Sequence, residues 1–245
     1  MKVTWEEAGW EELAPRVGRR RLPGWDCTAG LVVGGDATLM VDAGASLGEG
    51  ARLRAEARRI LGTDRDVTHL ALTHPHFDHV FGAAAFTGAQ VFGAAGPGTV
   101  SAYGGEELRL DAVRHGLDPR DAAEAADALV APGHSVSGER TLDLGGGVRA
   151  LLAVVGPGHT AHDLAVRVTG IAGSPEVVFC GDLVEESGEP QAGPDAVPSR
   201  WPAALDRLLA LGGEGAVYVP GHGAAVNAAF VRAQRDALAR RTGVS

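Results

Sequence analysis

A run of histidines and aspartates between residues 74 and 79 carries the strongest chemical signal in this sequence. The run reads His-Pro-His-Phe-Asp-His, so four side chains that commonly bind metal ions lie within six residues. Three further side chains of the same kinds follow later, each directly after a glycine. The set provides five imidazoles and two carboxylates, enough for two metal ions, and indicates a metal-dependent hydrolase. Its members are His74, His76, Asp78, His79, His159, Asp182 and His222.

Two of these histidines are spaced so that they can share one metal ion. In an extended loop, His74 and His76 lie two residues apart, and their side chains can point to the same side. Pro75 stiffens this loop because it fixes its own φ and restricts the residue before it. With His159 as a third ligand, the site would keep one open position, which is typical of catalytic rather than structural zinc.

The remaining ligands predict a second metal site beside the first. Asp78, His79 and His222 would form it, and Asp182 can bridge both ions because a carboxylate has two oxygens on opposite sides. Two metals about 3.5–4 Å apart can share a hydroxide and polarise a carbonyl or phosphoryl oxygen, and bound water then has a pKa of about 7. Asp78 is the candidate catalytic proton acceptor. Zinc, iron and manganese all suit a histidine-rich set.

The other isolated histidines, among them His69, His115 and His134, are predicted to be ordinary polar residues. The cluster at residues 74–79 differs, because burying so many polar groups together without a metal would be strongly unfavourable.

Apolar patterns around these residues predict the strands and helices that position them. Residues 67–73 form an apolar strand leading into the first histidines, and residues 80–86 are predicted to be a helix. A hairpin is predicted for residues 31–41, with glycines in its turn. Residues 48–61 have a helical pattern that stops at Gly62. Further strands are predicted at 90–93, 141–144, 148–155, 164–168, 177–180 and 216–219, and further helices at 201–211 and 226–241.

The chain is predicted to be a single domain over residues 1–245, because no linker of disordered composition divides it. Residues 96–139 differ in composition: glycines and a proline are followed by an acidic, alanine-rich stretch. We interpret them as a helical insertion that either packs over a sheet edge or forms a lid over a small-molecule substrate. Apolar stretches in the insertion are also candidate contacts for a homodimer.

Charge and composition exclude several classes of partner. The chain of 245 residues has a formal net charge of -9, so it has no electrostatic reason to bind nucleic acid. No apolar run is long enough to span a membrane, and the acidic N-terminus does not look like a signal peptide, so a cytoplasmic protein is expected. The two cysteines, Cys27 and Cys180, suggest buried thiols rather than a disulfide framework.

The order of the motifs resembles that of the metallo-β-lactamase superfamily. Its members have an HxHxDH motif followed by GH, D and GH at strand ends, and this chain has all four in order between Asp42 and His222. The resemblance implies an α/β (α+β) fold, a four-layer αββα sandwich with a dinuclear zinc site at one edge between the sheets. It implies the division of ligands given above, with Asp42 bracing the site from outside the ligand set.

The chain departs from the superfamily pattern directly after His159. Many hydrolases of the superfamily read GHTPG there, whereas this chain reads GHTAHD, which introduces His162 beside the metal loop. His162 either contacts substrate or forms a structural hydrogen bond with Asp163. Tyr103, in the insertion, is a second candidate substrate contact by resemblance to the lactonases of the superfamily.

These observations predict a dinuclear zinc-dependent hydrolase of a small ester, thioester, lactone or lactam, with a metal-bridging hydroxide as nucleophile. One alternative is a mononuclear iron oxygenase that resembles the persulfide dioxygenases of the superfamily, in which part of the second site stays idle. The other alternative is a metal-stabilised binding module without catalysis, which the open metal positions disfavour.

Overall fold

The computed structural model describes residues 3–62, 64–96 and 104–243, and two β-sheets form its centre. The strands of the first sheet are β1 (Glu11–Ala14), β2 (Val17–Arg21), β3 (Thr28–Val33), β4 (Thr38–Val41), β5 (His69–Ala71), β6 (Gln90–Ala94) and β7 (His134–Val136). They lie in sequence order. The strands β1 to β4 pair antiparallel, and β4 to β7 pair parallel.

The second sheet is formed by the C-terminal half of the chain. Its strands are β8 (Glu139–Gly145), β9 (Val148–Val154), β10 (Leu164–Thr169), β11 (Val177–Glu185) and β12 (Val217–His222). The order across the sheet is β12-β11-β10-β9-β8, and only β11 and β12 pair in parallel. The carboxyl ends of β11 and β12 therefore lie at the same edge.

Six α-helices accompany the sheets in the described residues. They are α1 (Leu47–Leu61), α2 (Phe77–Val80), α3 (Gly105–Arg114), α4 (Pro119–Asp127), α5 (Trp201–Gly212) and α6 (Ala228–Thr242). Serine, aspartate and asparagine side chains cap the N-termini of α1, α4 and α6, which satisfies backbone N–H groups that a helix leaves unpaired. Across the described ranges, no helix combines the length and the apolar character needed to cross a membrane.

Three hydrophobic clusters separate four layers. Alternation along the strands sends Leu31 and Met40 to a cluster shared with α1, α3 and α4, and sends Val32 and Leu39 to a cluster between the sheets. A third cluster joins the outer face of the second sheet to α5 and α6 around Trp201. The layers are thus helix, sheet, sheet, helix, which confirms the predicted αββα sandwich.

Most predicted elements are confirmed, but the helix that follows the histidine cluster is not. The predicted helix at residues 80–86 is wrong: α2 begins at Phe77 and ends at Val80, and a separate 3-10 turn covers residues 83–85. The reason is Gly82, which interrupts the helix and packs against backbone; a Cβ there would lie 2.0 Å from the carbonyl oxygen of Ala43. The strand predicted at 177–180 is longer than expected and contains Asp182.

A close backbone contact fixes α1 against the segment that follows α2. A Cβ on Gly50 would lie 2.2 Å from the carbonyl oxygen of Gly82, so only glycine fits at this crossing. The preceding loop continues the contact, because the N–H of Ala43 donates to the carbonyl oxygen of His79 over 2.8 Å. The first helix therefore braces the short helix that carries two candidate ligands.

Candidate metal centre

The structure brings all seven candidate ligands together at one edge of the two sheets. Strand ends place most of them: two follow β5, two lie in α2, one lies between β9 and β10, one lies in β11, and one ends β12. Contacts between the sheets close this edge. The N–H of Leu164 donates to the carbonyl oxygen of Thr73, and Cys27 forms an isolated β-bridge with His222.

The first group of ligand atoms contains His74, His76, His159 and Asp182, whose candidate ligand atoms all lie within 4.8 Å of one another. The Nε2 atoms of His74 and His159 lie 3.6 Å and 3.5 Å from Asp182 Oδ2. The Nδ1 atom of His76 lies 3.0 Å from His159 Nε2. Three ring nitrogens and one carboxylate oxygen thus converge on one position.

The second group of ligand atoms shares the carboxylate of Asp182 with the first. His79 Nε2 lies 3.1 Å from Asp182 Oδ1, and His222 Nε2 lies 3.2 Å from Asp182 Oδ2. Asp78 joins them, because its Oδ2 lies 3.3 Å from His222 Nε2 and 3.6 Å from His79 Nε2. Asp182 therefore lies between both groups, where a bridging ligand is expected.

Asp42 forms the outer support of the ligand loop. Its Oδ2 accepts hydrogen bonds from His79 Nδ1 over 2.9 Å and from the Thr73 hydroxyl over 2.8 Å, while its Oδ1 accepts from the Thr73 N–H over 2.8 Å. The Thr73 oxygen lies 3.0 Å from His74 Nδ1, which can donate to it. One carboxylate thus orients two of the candidate ligands, in the manner of the outer partners of metal-bound histidines.

Backbone carbonyls orient two further histidines. His222 Nδ1 donates to the carbonyl oxygen of Trp25 over 2.7 Å, and His159 Nδ1 donates to that of Gln191 over 3.1 Å. Each donation fixes the tautomer, so that Nε2 carries a lone pair in the neutral ring. The sequence analysis did not predict these partners, because they come from loops distant in the sequence.

Asp195 is a further site residue that the sequence did not reveal. Its Oδ2 lies 3.1 Å from Nε2 of His76, and the bond leaves Nδ1 of that ring facing His159. Asp195 belongs to an irregular segment between β11 and α5, and no motif marks it. Of the five histidines, His76 is the one whose Nδ1 faces the centre.

Two buried atoms at the centre lack the partners that a metal-free protein should give them. His74 Nε2 and Asp182 Oδ1 are buried and have no hydrogen-bond partner in the described part of the chain. His79 Nε2 and Asp182 Oδ1 are both acceptors when the ring is neutral, yet they lie 3.1 Å apart. Either a proton on His79 Nε2 or a metal cation between the two atoms would remove this repulsion. The residues therefore fit metal ions.

Burial favours the ligand form of two histidines. It lowers the pKa of His74 well below the ordinary value and that of His159 to about 4, so both rings are neutral at physiological pH. A neutral imidazole is the form that binds metal. Burial opposes a charge on His222 as well, but the carboxylates of Asp182 and Asp78 raise its pKa to about 12 in the absence of metal. Metal binding there would displace a proton.

Cys27 lies closer to the centre than the sequence indicated. Its Sγ donates to the carbonyl oxygen of Asp78 over 3.2 Å and lies 3.8 Å from both ring nitrogens of His79. The expected buried thiol is correct, since the residue is 2% exposed. The sequence did not predict the contact between Cys27 and His79, because the two residues are distant in the sequence and only the fold brings them together.

A cavity of about 600 Å³ opens onto the centre. Its floor contains His76, Asp78, His159, Asp182 and His222. Residues along the whole length of α3, the loop that carries Trp25, and the segment after β11 form its walls. The centre is therefore accessible to a small molecule, as a catalytic site requires.

The predicted substrate contacts have different outcomes. His162 lines this cavity, and its buried Nδ1 has no partner among the described residues; it shares no side-chain hydrogen bond with Asp163, which instead accepts from Thr160. Tyr103 lies outside the described residues. His115, which we expected to be an ordinary polar residue, lines the cavity and stacks on Phe77 with ring centroids 5.9 Å apart.

The chain belongs to the metallo-β-lactamase superfamily. The model of that family, described as Metallo-beta-lactamase superfamily, matches residues 22–222, which include all seven candidate ligands. The protein is thus a hydrolase of this superfamily, with His and Asp groups that could hold metal ions. No curated protein sequence shows a significant match to the chain.

Solved structures share the fold at low sequence identity. The metallo-β-lactamase FIM-1 from Pseudomonas aeruginosa, in its mono-zinc form, is 19% identical with a TM-score of 0.67, covering 100% of this chain and 98% of FIM-1. A metallo-β-lactamase from Hirschia baltica is 16% identical with a TM-score of 0.63, covering 94% and 96%. TMB-1 is 18% identical with a TM-score of 0.66, covering 95% and 97%.

Proposed function

We propose that this protein is a dinuclear zinc hydrolase that opens a small ester, thioester, lactone or lactam. The observation that carries the proposal is the position of Asp182 between two groups of ligand atoms, at the floor of a cavity large enough for such a substrate. FIM-1, described with zinc, supports zinc over iron or manganese.

His74, His76 and His159 would hold one ion, Asp78, His79 and His222 would hold the other, and Asp182 would bridge them. When bound, the metals supply a hydroxide at neutral pH and polarise the substrate carbonyl. The imidazoles donate hydrogen bonds to Asp42, Asp195 and two backbone carbonyls, and these bonds hold the rings in the orientation that metal binding needs.

Asp78 has the geometry of a proton acceptor at the cavity floor. Its Oδ2 lies 3.3 Å from His222 Nε2, and its side chain lines the cavity, so it can receive a proton from the attacking water and pass it to the leaving group. Trp25 and Phe77 line the same cavity and provide apolar surface beside the site where the substrate would bind.

The test is hydrolysis of a panel of lactones, thioesters, aryl esters and β-lactams by the zinc-loaded protein, compared with two ligand variants. Asp182→Asn and His76→Ala should each lower kcat/KM by more than about 100-fold, since loss of outer partners alone costs 10–100-fold. His134→Ala is the control, because His134 lies in neither ligand group. Full turnover in either ligand variant contradicts the proposed site.

A further inference from the structure

The walls of the cavity carry an unusual excess of negative charge. Beyond the candidate ligands, five carboxylates line the cavity, and Arg114 is the single guanidinium among the lining residues. The five are Glu107, Asp111, Glu185, Glu189 and Asp195. The undescribed segment at residues 97–103, which precedes α3, contains no charged side chain and so cannot reverse this balance.

Arg114 is poorly placed to bind a substrate anion. Its Nη2 donates to Asp111 Oδ1 over 3.2 Å, its Nε donates to the carbonyl oxygen of Leu110, and its side chain is 72% exposed. A carboxylate on a substrate would therefore meet no free guanidinium or ammonium group among the described residues of the cavity wall. Metal ions would act at the reacting atoms on the floor, not along the walls.

Two of the wall carboxylates have no ion-pair partner among the described residues. Asp111, Glu189 and Asp195 are paired with Arg114, Arg241 and His76. Glu107 has no such pair, and Glu185 accepts only from the N–H and hydroxyl of Ser187, both at Oε1. Glu185 is 9% exposed on the cavity wall, and it interacts electrostatically with His222, its partner on the adjacent strand.

Both hydrogen bonds from Ser187 go to Oε1 of Glu185, so its Oε2 has no hydrogen-bond partner among the described residues. A positively charged group in the cavity would give this oxygen a partner. His162 supplies a second unpaired group on the cavity lining: it is 8% exposed, and its buried Nδ1 has no partner in the described ranges.

Aromatic rings stand beside these acidic walls. Trp25 and Phe77 meet edge to face with centroids 5.3 Å apart, and His115 stacks on Phe77. Trp25 is held in place by a hydrogen bond from Nε1 to the carbonyl oxygen of His115, over 3.3 Å. Aromatic faces combined with carboxylates are the environment that binds alkylammonium groups, through cation–π attraction and charge.

We propose that the cavity selects acyl substrates that carry an ammonium group and disfavours those that carry a carboxylate. The inference rests on the proposed hydrolase function, because it names the substrate class of the same site. Trp25, Phe77, Glu185 and Glu107 all line the cavity whose floor would hold the acyl group. Like charges on the wall disfavour substrates that carry a carboxylate.

The first experiment compares three 4-nitrophenyl esters whose acyl chains differ only at the far end. One ends in trimethylammonium, one in the isosteric neutral tert-butyl group and one in a carboxylate. For the zinc-loaded protein, we expect kcat/KM of the cationic ester to exceed that of the neutral ester by about 10-fold, and the anionic ester to fall below it by about 10-fold. Equal values for the three esters, or preference for the anion, overturn the proposal.

Single substitutions then test whether Glu185 and Glu107 cause the preference for the cationic ester. Glu185→Gln should lower the ratio of cationic to neutral kcat/KM by about 3–10-fold, and Glu107→Gln should lower it in the same direction. Glu139→Gln removes one carboxylate from β8, outside the cavity lining, and should leave the ratio unchanged. If one of the two glutamate variants fails to fold, the other still tests the proposal. An unchanged ratio of cationic to neutral kcat/KM in both variants contradicts the proposed role of these carboxylates.

A binding measurement separates this proposal from the hydrolase proposal. Calorimetric titration with (4-phenylbutyl)trimethylammonium needs no turnover, and we expect binding to the zinc-loaded wild type that weakens in Glu185→Gln and not in Glu139→Gln. Such binding without hydrolysis of any ester supports charge selection and contradicts the hydrolase. Hydrolysis of the neutral ester without binding of the probe contradicts charge selection alone, and absence of both contradicts both.

Discussion

Asp42 Oδ2 accepts a hydrogen bond from Nδ1 of the buried His79 over 2.9 Å, and the backbone of Asp42 is left-handed, with φ of 60°. Asparagine at this position removes the negative charge and leaves the backbone unstrained, because asparagine tolerates left-handed φ and matches aspartate in shape. We predict that Asp42→Asn weakens zinc binding by about 10–100-fold while the protein remains folded, since the imidazole loses its negatively charged partner. Competition with a chromogenic chelator measures the affinity.

Asp42→Ala is the comparison for this prediction. It removes the same carboxylate but places alanine at a positive φ, so it should also lower thermal stability, at a cost of about 1–2 kcal/mol. Equal zinc affinity in wild type and Asp42→Asn would show that Asp42 has no role beyond the backbone turn.

Asp195 makes the corresponding contact to the first group of ligands. Its Oδ2 lies 3.1 Å from His76 Nε2, and we predict that Asp195→Asn weakens binding of one zinc ion by about 10-fold or more while the other is retained. Stepwise zinc titration with a competing chelator reports each ion separately. Asp206→Asn is the control, because it removes a carboxylate of α5 that pairs with Arg235 of α6. An equal loss of zinc affinity in this control would show that the effect comes from a general change of charge.

The glycine crossing between α1 and the segment after α2 gives a test of packing. Gly50→Ala should lower the free energy of unfolding by about 3 kcal/mol or more, because the new Cβ would lie 2.2 Å from the Gly82 carbonyl oxygen. Gly48→Ala, two residues away in α1, meets nothing closer than the Ser46 hydroxyl at 3.8 Å and should raise stability by up to about 1 kcal/mol. Urea unfolding compares the two variants; similar values for both would contradict the close contact.

We predict that the difference in stability between the wild type and Asp163→Asn depends on pH. Burial raises its pKa from the ordinary value of 3.8 to about 7, against the hydrogen bonds from Thr160. Because the folded state holds this proton more tightly than the unfolded state, the wild type loses stability as pH rises from about 4 to about 7, at up to about 1.4 kcal/mol per unit. Asn at this position does not titrate.

The stability of Asp163→Asn relative to the metal-free wild type should therefore increase as pH rises through this window and level off above it. Urea unfolding of both proteins at several pH values measures the difference. A difference that stays constant between about pH 4 and pH 7 would show that Asp163 titrates normally in the folded state.

The sequence predicted the candidate ligands and the layers better than the supports of the site. The ligands follow strands or glycines, and strand alternation, as at Leu31 and Val32, fixes which side chains enter each cluster. The sequence did not predict the roles of three residues at the site. Asp195 and Trp25 lie in irregular loops, and Glu185 lies at the end of β11, beyond the apolar pattern that predicted this strand.

The short length of α2 was not predicted either. The apolar pattern at residues 80–86 suits a helix, and tertiary contact overrode it where Gly82 meets the backbone of α1 and its preceding loop. A local apolar pattern predicts which side chains of an element are buried. It does not predict close backbone contacts, because these depend on elements that are distant in the sequence.

The most direct measurement of the central claim is the metal content of protein purified without added metal, by elemental analysis alongside protein quantification. Two convergent ligand groups that share Asp182 predict about two zinc ions per chain, falling to about one or fewer in Asp182→Asn. A wild type that holds a single iron and no zinc, with a second site that stays empty when zinc is added, would contradict the dinuclear zinc centre.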